Sequence, residues 1–416
     1  MLRRREVWSY AAGDFGFNTV WQSIELYLLF YYVRQLGIAP EVASLIFLAG
    51  AAADWLMDVF VGVTADRLAP RVRLGTWVAV GGPLSVLILC AAFALPPMRS
   101  GYVPYYALAT YLALRCAYGI GNIPYGALTA RISADPRDHL RLTGARMQAA
   151  ALGGLVAALV YAALPAGGPG GGGFSIGAPI LAGIAVPTFF FTAFGTRERV
   201  MPAVAAPRSH RALVTMFALL GRSPALRRLI TTILTVGLAV SLLNVSLLFV
   251  FDQLGAQRWG YYAALLPALS LLVTAPLWTH LATRIGQGAT LRYAAVLMLG
   301  ATALGCAGGG VAMALVSVTG AIVAGQGLSV MFWSLVPATV AACERDAAIV
   351  GYAARIYAAA TIARKLAQAF STQVLAMTLL FPAIPILGSI AVAALLALLC
   401  AFFYPPIEDT SRSLAP

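Results

Sequence analysis

Charged residues are scarce in this sequence: only 10% of its 416 residues are Asp, Glu, Lys or Arg, whereas 61% are hydrophobic and the mean hydropathy is +0.84. A water-soluble globular domain does not have this composition, so the chain is predicted to lie in lipid. The five cysteines lack CxxC spacing, which argues against a disulfide framework and a cysteine metal site. Neither an HExxH motif nor a Ser-His-Asp set is found, so an enzyme is not expected.

Long apolar runs recur along the chain with short polar interruptions. A helix needs about 20 mostly apolar residues to cross the hydrocarbon core of a membrane. No cleavable signal is expected, because the first segment is too long and too polar for a signal peptide. The predicted fold class is an all-α membrane protein with twelve transmembrane helices. The spans are placed at 8–33, 40–63, 75–95, 102–130, 146–165, 174–195, 229–251, 259–280, 291–307, 311–336, 354–378 and 384–404.

The distribution of arginine predicts the orientation of these helices. A formal net charge of +13 is compatible with nucleic-acid binding, but the arginines follow the loops of one membrane side. The other side receives chiefly Arg34, Arg99 and Arg258, so both termini are predicted to be cytoplasmic. The alanine-rich and arginine-rich composition is typical of a GC-rich bacterial genome. We therefore expect a monomeric, multi-pass protein of the bacterial cytoplasmic (inner) membrane, with the lipid bilayer and no nucleic acid as its partner.

The longest inner loop divides the predicted spans into two sets of six. It covers residues 196–228 and contains Arg197, Glu198, Pro202 and Pro207. The N-terminal half is then 1–195 and the C-terminal half 229–416. Two six-helix halves joined by a cytoplasmic linker are the architecture of the major facilitator fold, in which substrate binds between the halves near the membrane midplane.

Several predicted helices carry polar side chains that lipid disfavours. A charged residue at the membrane centre costs about 2.5–3.5 kcal/mol on insertion scales, so each one is a candidate functional residue. The first span has four polar residues at spacings that a helix gathers on one side. They are Asp14, Asn18, Gln22 and Glu25. This side is predicted to face the substrate cavity.

The second span carries two carboxylates one turn apart, Asp54 and Asp58. Two stacked carboxylates repel each other unless a cation or a proton joins them. The pair is therefore the predicted cation-coupling site. The alternative, which stays open, is that one of the two merely pairs with an arginine at a helix end.

The fourth span places Arg115, Tyr118, Asn122 and Tyr125 on one face. A deeply buried arginine needs an acidic partner, and Glu25 or Asp14 is available for that role. Arg115 is then either a structural ion-pair residue or a substrate contact, and the sequence does not decide between the two.

Lys365, in the eleventh span, is the only lysine in a chain with 28 cationic residues. An ammonium loses its proton more readily than a guanidinium when it is desolvated, so this position suits a switchable or carboxylate-paired charge. Chance placement is the alternative interpretation. In the tenth span, Trp333 shares a face with Gln326 and Ser329, where its ring either stacks on a sugar or packs against other helices.

Several stretches resemble the glycoside-pentoside-hexuronide:cation symporter family, most strongly over residues 10–155. The similar positions are Gly13 to Asn18 with Trp21 and Gln22 in the first helix, Asp54 to Asp58 followed by Asp66, Arg67, Arg71 and Arg73, Asn122 to Thr129 in the fourth helix, Arg146 at the start of the fifth, and Lys365. The stretch from Asn122 to Thr129 is the most specific, since it is close to a family signature.

The resemblance implies uptake of a small glycoside, sugar or sugar acid by cation symport, through alternating access of the two halves. It implies no cofactor other than the coupling proton or sodium ion, a cation site at Asp54 and Asp58 with Lys365 nearby, and a gating loop that contains Asp66, Arg67, Arg71 and Arg73. The residues expected to bind the substrate are Asn18, Gln22, Glu25, Arg115, Tyr118, Asn122, Tyr125, Arg146 and Trp333.

The chain departs from the family pattern at positions that bear on the ion. Met57 replaces a family asparagine and Gly119 replaces a hydroxyl residue, both of which would have offered oxygen atoms to sodium. A hard cation wants several oxygen ligands, so the remaining carboxylates favour a proton.

Gly126 stands where some members have a sugar-stacking tryptophan. An exporter or a lysolipid-type amphiphile carrier of the same fold is therefore kept as the alternative function.

Overall fold

The computed structural model describes residues 2–68, 71–94, 96–133, 136–164, 172–200, 223–344, 353–381 and 385–402, and this part of the chain is almost entirely helical and contains no strand. Helix α1 (Arg4–Gln22) continues through two π-helical stretches, Ser23–Leu28 and Tyr31–Gln35. The helices that follow are α2 (Pro40–Leu68), α3 (Leu74–Ala92), α4 (Val103–Ile132), α5 (Pro136–Ala163), α6 (Gly173–Gly195), α7 (Pro224–Gln253), α8 (Gln257–Ala263), α9 (Leu266–Ile285), α10 (Gln287–Cys306), α11 (Gly310–Glu344), α12 (Ala353–Leu380) and α13 (Ile386–Phe402).

Each predicted span coincides with one of these helices, except that the eighth span corresponds to α8 and α9 together. Within the described residues, seven helices are long and apolar enough to cross a membrane by length and composition alone. The number is eight if the bent pair Gln257–Thr274 and Pro276–Ile285 is taken as one span. Helices α1, α4, α12 and α13 fall outside that set: α13 is shorter, and the other three carry predicted polar or charged residues. The predicted all-α, membrane-spanning fold is confirmed.

The chain separates into two compact units, one formed by Met1–Pro207 with Phe251–Leu269 and the other by Arg208–Val250 with Ser270–Pro416. In the first unit, α1 packs against α5 and α6, α3 packs against α4 and α6, and α2 packs against α4. In the second unit, α10 packs against α11 and α13. The division at 1–195, 196–228 and 229–416 stays a prediction, since residues 201–222 of the linker lie outside the described part.

The eighth span is bent where proline interrupts it. The axis turns by 49° between Gln257–Thr274 and Pro276–Ile285. A proline inside a helix removes one backbone hydrogen bond and its ring clashes with the preceding turn. The bend is therefore a local consequence of Pro276.

Glycines set the closest helix crossings of the first unit. A Cβ atom added to Gly81 on α3 would lie 2.3 Å from the backbone nitrogen of Gly121 on α4, and one added to Gly153 on α5 would lie 2.3 Å from the carbonyl oxygen of Phe15 on α1. Small residues allow membrane helices to approach this closely. The van der Waals contacts made in this way stabilise the packing, because there is no hydrophobic driving force between helices in lipid. The crossing of α1 with α5 positions the polar side of α1.

The substitution Gly153→Ala is expected to destabilise the protein by about 1–3 kcal/mol, because the new methyl group must push α5 away from α1. The matched control is Gly183→Ala on α6, where an added Cβ meets nothing within 4 Å. Apparent melting temperatures of the purified variants in one detergent measure the difference. Equal melting temperatures for the two variants would contradict the close crossing.

An acidic residue at the start of α1 holds the segment that follows α6. The buried carboxylate of Glu6 accepts hydrogen bonds from the backbone N–H of Arg197 at 3.0 Å and from Nη1 and Nη2 of Arg199 at 2.8 Å each. These hydrogen bonds from Arg199 to Glu6 raise the pKa of the guanidinium. The backbone N–H of Arg199 also donates to the carbonyl of Arg131 at the end of α4, at 2.8 Å. Through Arg197 and Arg199, Glu6 therefore connects the start of α1 with the segment after α6, and Arg199 also bonds to the end of α4.

We expect Glu6→Ala to lower the stability by about 1–3 kcal/mol, because three donors lose their shared acceptor. The variant Glu6→Gln keeps an acceptor oxygen but loses the charge, so its loss should be smaller. The same detergent melting assay compares the two. A Glu6→Ala variant that melts like the unmodified protein would show that this contact carries no stability.

Candidate substrate and cation site

A buried ion pair joins α2 to α4 inside the first unit. Nε of Arg115 donates to Oδ1 of Asp54 at 2.8 Å, and Nη2 of Arg115 pairs with Oδ2 of the same carboxylate. The two side chains are only 8% and 10% exposed. A guanidinium and a carboxylate in this two-point geometry form the strongest type of side-chain pair, and breaking it leaves a buried charge without its partner.

This pair identifies the acidic partner of Arg115, whereas a role of Arg115 in substrate binding stays a prediction. The carboxylate placed against it is Asp54, not Asp14, which pairs elsewhere. Asp54 was expected to act with Asp58, whose side chain lies outside the described part. The charge of Asp54 is therefore balanced by an arginine from α4, and any coupling cation must compete with a guanidinium for this carboxylate.

A second ion pair joins α1 to α5. Nε of Arg146 lies 3.2 Å from Oδ1 of Asp14, and its guanidinium carbon lies 5.2 Å from the centre of the Tyr125 ring. Asp14 is buried, whereas 36% of the Arg146 side chain is exposed. Arg146 therefore presents part of a cation on this helix face while its charge is compensated by Asp14.

The predicted substrate residue Tyr125 has a different place from the one expected. It has no exposed surface, its ring stacks on that of Tyr10 at 4.8 Å, and its hydroxyl donates to the carbonyl of Tyr10 at 2.9 Å. In this conformation the side chain is committed to packing and is closed to a solute. The ring of Tyr125 packs against the guanidinium of Arg146.

The substitution Arg146→Gln is expected to cost about 1–3 kcal/mol, because the buried carboxylate of Asp14 loses its charged partner. The estimate lies below that for a fully buried pair because Arg146 is partly exposed. The matched control is Arg141→Gln, an exposed arginine on the same helix, which should change stability by less than about 0.5 kcal/mol. Indistinguishable melting temperatures for the two variants would contradict the assignment.

The polar side of α1 changes its helical register near its middle. Asn18 lies before this point and its amide donates to the carbonyl of Asp14 at 2.9 Å. Gln22 lies against α5, where its Cγ atom would be 3.0 Å from a Cβ added to Gly154. Glu25 belongs to the π-helical stretch Ser23–Leu28. Such stretches occur frequently at functional sites, because the wider turn redirects the side chains that follow.

An aromatic cluster connects α1 to the polar face of α4. The ring of Tyr118 meets that of Phe17 edge-on at 5.5 Å and lies 5.8 Å from that of Trp21. Asn122 is half-buried one turn further along α4. Tyr118 thus lies next to α1, on the same helix as Arg115, and its predicted role in substrate binding stays a prediction.

The two predicted residues of the second unit, Lys365 and Trp333, lie on different helices. Lys365 is half-buried on α12. Trp333, on α11, is 42% exposed and its ring lies 5.0 Å from that of Phe332. Their roles in cation coupling and in substrate binding stay predictions.

The residues of the expected gating loop are divided between the last turn of α2, which includes positions 66 and 67, and the segment after it. The side chains of Asp66 and Arg67 lie outside the described part. Arg71 is exposed, and Nη2 of Arg73 donates to the carbonyl of Thr196, which follows α6, at 2.8 Å. Arg73 is therefore anchored to the first unit, and a gating function stays a prediction.

Tyr10 and Trp21 contact the candidate site but were not among the predicted site residues, although Trp21 stands in a stretch that resembles the family. Tyr10 lies one turn before Asp14, so the polar stripe Asp14–Asn18 extended backwards would have included it. Trp21 contacts both Glu25 and Arg115. Tryptophan in a membrane helix is usually a packing or interfacial residue, which is why its position within the stripe carried no signal.

The apolar helices and the buried ion pairs are those of a polytopic membrane protein. The model of the MFS/sugar transport protein family matches residues 9–407, so the chain belongs to this family. Its members are transporters and not enzymes, as predicted. Within the described residues no group of His, Cys, Asp or Glu is arranged to hold a metal ion.

Similar proteins agree with this assignment. The uncharacterized symporter YnaJ of Bacillus subtilis (strain 168) is 34% identical over 158 residues, which are 38% of this chain and 34% of that protein. A glucuronide carrier protein homolog of Escherichia coli (strain K12) is 27% identical over 324 residues, 71% of this chain and 65% of that protein. The chain thus spans between about a third and two thirds of the length of these relatives. The crystal structure of a D-xylose-proton symporter has the same fold, with a TM-score of 0.68 at 16% identity over 97% of this chain and 98% of that one.

Proposed function

We propose that the protein is a secondary active transporter that couples the entry of a small carbohydrate-like solute to the entry of a cation. The observation that carries this proposal is the Asp54–Arg115 pair, which is buried between two helices of a sugar transport family member. Intramembrane charges are costly, so they are kept where transport requires them. Coupling arises if a cation at Asp54 releases Arg115 and changes how α2 and α4 pack.

A proton is the coupling cation that this geometry favours. A proton neutralises Asp54 at a single oxygen atom, whereas a sodium ion needs several oxygen ligands and must displace a guanidinium that already holds both oxygens. Met57 and Gly119, which lie side by side on α2 and α4, add no side-chain oxygen here. Proton-driven symport is therefore preferred over sodium-driven symport.

The substrate class follows from the side chains and from the relatives. Asn18, Gln22 and Asn122 offer amide groups that suit hydroxyl-rich solutes, and Tyr118 offers an aromatic ring. Of the similar proteins described above, one is named as a homolog of a glucuronide carrier and another is a D-xylose-proton symporter. A sugar or a small glycoside is accordingly the proposed cargo, and a monomer in the bacterial inner membrane with both termini in the cytoplasm is the proposed form.

The test is uptake into proteoliposomes with proton and sodium gradients imposed separately. The panel contains D-xylose, methyl β-D-xyloside, methyl β-D-glucuronide and a lysophosphatidylcholine. Accumulation of one of the carbohydrates above its equilibrium level under the proton gradient alone is expected. Movement of the lysolipid, with no carbohydrate accumulated under either gradient, would overturn the substrate class and favour an amphiphile carrier.

A further inference from the structure

Trp21 lies between the ion pair of α2 and α4 and the carboxylate of Glu25. Its indole N–H donates to Oε2 of Glu25 at 2.6 Å, and the guanidinium carbon of Arg115 lies 5.0 Å from the centre of its ring. The same guanidinium binds Asp54. One aromatic side chain therefore touches both the predicted cation site and a predicted substrate residue.

The two contacts of Trp21 use different parts of the indole. The ring face attracts the cation through its negative π-cloud, an interaction that strengthens where water is excluded. The N–H group fixes the carboxylate through a charge-assisted hydrogen bond. Because the ring is rigid, a rotation of its face that accompanies movement of Arg115 also redirects the N–H group.

The position of Glu25 makes it sensitive to this change. It lies two residues inside a π-helical stretch, and the hydrogen bond from Trp21 spans the point where that stretch begins. The turn before it is α-helical. The indole thus determines the orientation of Glu25 at a point where the backbone itself changes register.

We propose that Trp21 is a positioning residue that transmits the state of the Asp54–Arg115 ion pair to Glu25, so that solute binding depends on the bound cation. The inference rests on the proposed symport function. When a cation occupies Asp54, Arg115 leaves the indole face, the ring turns, and Glu25 is presented to the solute. The charged groups that contact the indole are Glu25 and Arg115, with Asp54 bound to the latter. Of the tyrosines on α4, Tyr118 lies beside the indole and Tyr111 lies beside the guanidinium of Arg115.

A fluorescence titration tests this without knowledge of the solute. Tryptophan emission of the purified full-length protein is recorded against pH in sodium-free buffer, and against NaCl at fixed pH with choline chloride as reference. Trp21→Phe keeps a ring but loses the N–H, and Trp8→Phe, an exposed tryptophan on the same helix, is the matched control. More than half of the cation-dependent change should disappear in Trp21→Phe and in Asp54→Asn, and persist in Trp8→Phe. An equal response in Trp21→Phe and Trp8→Phe overturns the proposal.

Two transport assays distinguish a positioning role of Trp21 from a purely structural one. With whichever panel carbohydrate the unmodified protein accumulates, Trp21→Phe should lower cation-driven accumulation about tenfold, as expected for the loss of a charge-assisted hydrogen bond, and leave counterflow exchange within about twofold. Equal losses in both assays would indicate a structural role and reject the proposal. If no panel carbohydrate moves but the Trp21-dependent emission change is present, the link between the two sites stands and only the proposed substrate class fails.

Discussion

Replacing Arg115 with leucine is expected to destabilise the protein by about 3–5 kcal/mol, because the carboxylate of Asp54 would remain buried without its partner. Both side chains are at most 10% exposed, so water cannot compensate for the lost charge. Melting in detergent, followed by scanning fluorimetry, measures the loss. Arg228→Leu, at an exposed position of α7, is the matched control and should change stability by less than about 0.5 kcal/mol.

The double variant Asp54→Asn with Arg115→Leu separates stability from coupling. Removing both charges together should recover most of the lost stability, since no charge remains buried alone. The recovered protein should nevertheless fail to accumulate solute, because the carboxylate that the cation must reach has gone. An Arg115→Leu protein that melts like the Arg228→Leu control would mean that the pair does not form.

Replacing either carboxylate of α2 is expected to abolish cation-driven accumulation. An amide at position 54 or 58 neither binds a proton at neutral pH nor carries the charge that attracts one. Solute accumulation by Asp54→Asn and Asp58→Asn should fall to the equilibrium level, while counterflow, which needs no net cation movement, should persist. Proteoliposome uptake under a proton gradient provides the measurement.

The matched control for these variants is Asp252→Asn, a carboxylate at the end of α7 that pairs with Arg34 at 2.6 Å and not with Arg115. It should lower stability without removing the dependence on the gradient. Unimpaired uphill accumulation by Asp58→Asn would refute the role predicted for that residue. The same result for Asp54→Asn would refute the coupling role of the ion pair.

The helices were predictable because lipid imposes a simple rule on the sequence. A run of about 20 apolar residues must be helical in order to satisfy its backbone hydrogen bonds. The ends were less predictable: α5 begins at Pro136 and not near 146, and α11 continues to Glu344 and not to 336. These extensions lie outside the apolar window, so hydropathy does not detect them.

Local departures from regular helix were not predicted at all. The π-helical stretches of α1 have no composition that distinguishes them from the α-helix before them. The break between α8 and α9 was also missed, although Pro267, at the second position of α9, lacks the N–H that an uninterrupted helix would use there. Both features depend on how neighbouring helices pack, and a single sequence does not record this.

The sequence predicted which helix faces carry the residues of the candidate site, but not which residues form ion pairs with one another. Helical spacing placed Asp14, Asp54 and Arg115 on polar stripes, because residues three or four apart lie on one side of a helix. Which carboxylate meets Arg115 depends on the rotation and height of α1 and α2 relative to α4. Spacing within one helix contains no information about these quantities, so Asp54 was not chosen as the partner.

Solute-induced proton movement tests the central claim most directly. Each carbohydrate of the panel is added to non-energised, right-side-out vesicles that contain the protein, and the external pH is followed in lightly buffered, sodium-free medium. We predict a rise in external pH when one carbohydrate enters, its loss with a protonophore, and its absence in the Asp54→Asn variant. Entry of a carbohydrate with no change in external pH would contradict proton-coupled symport.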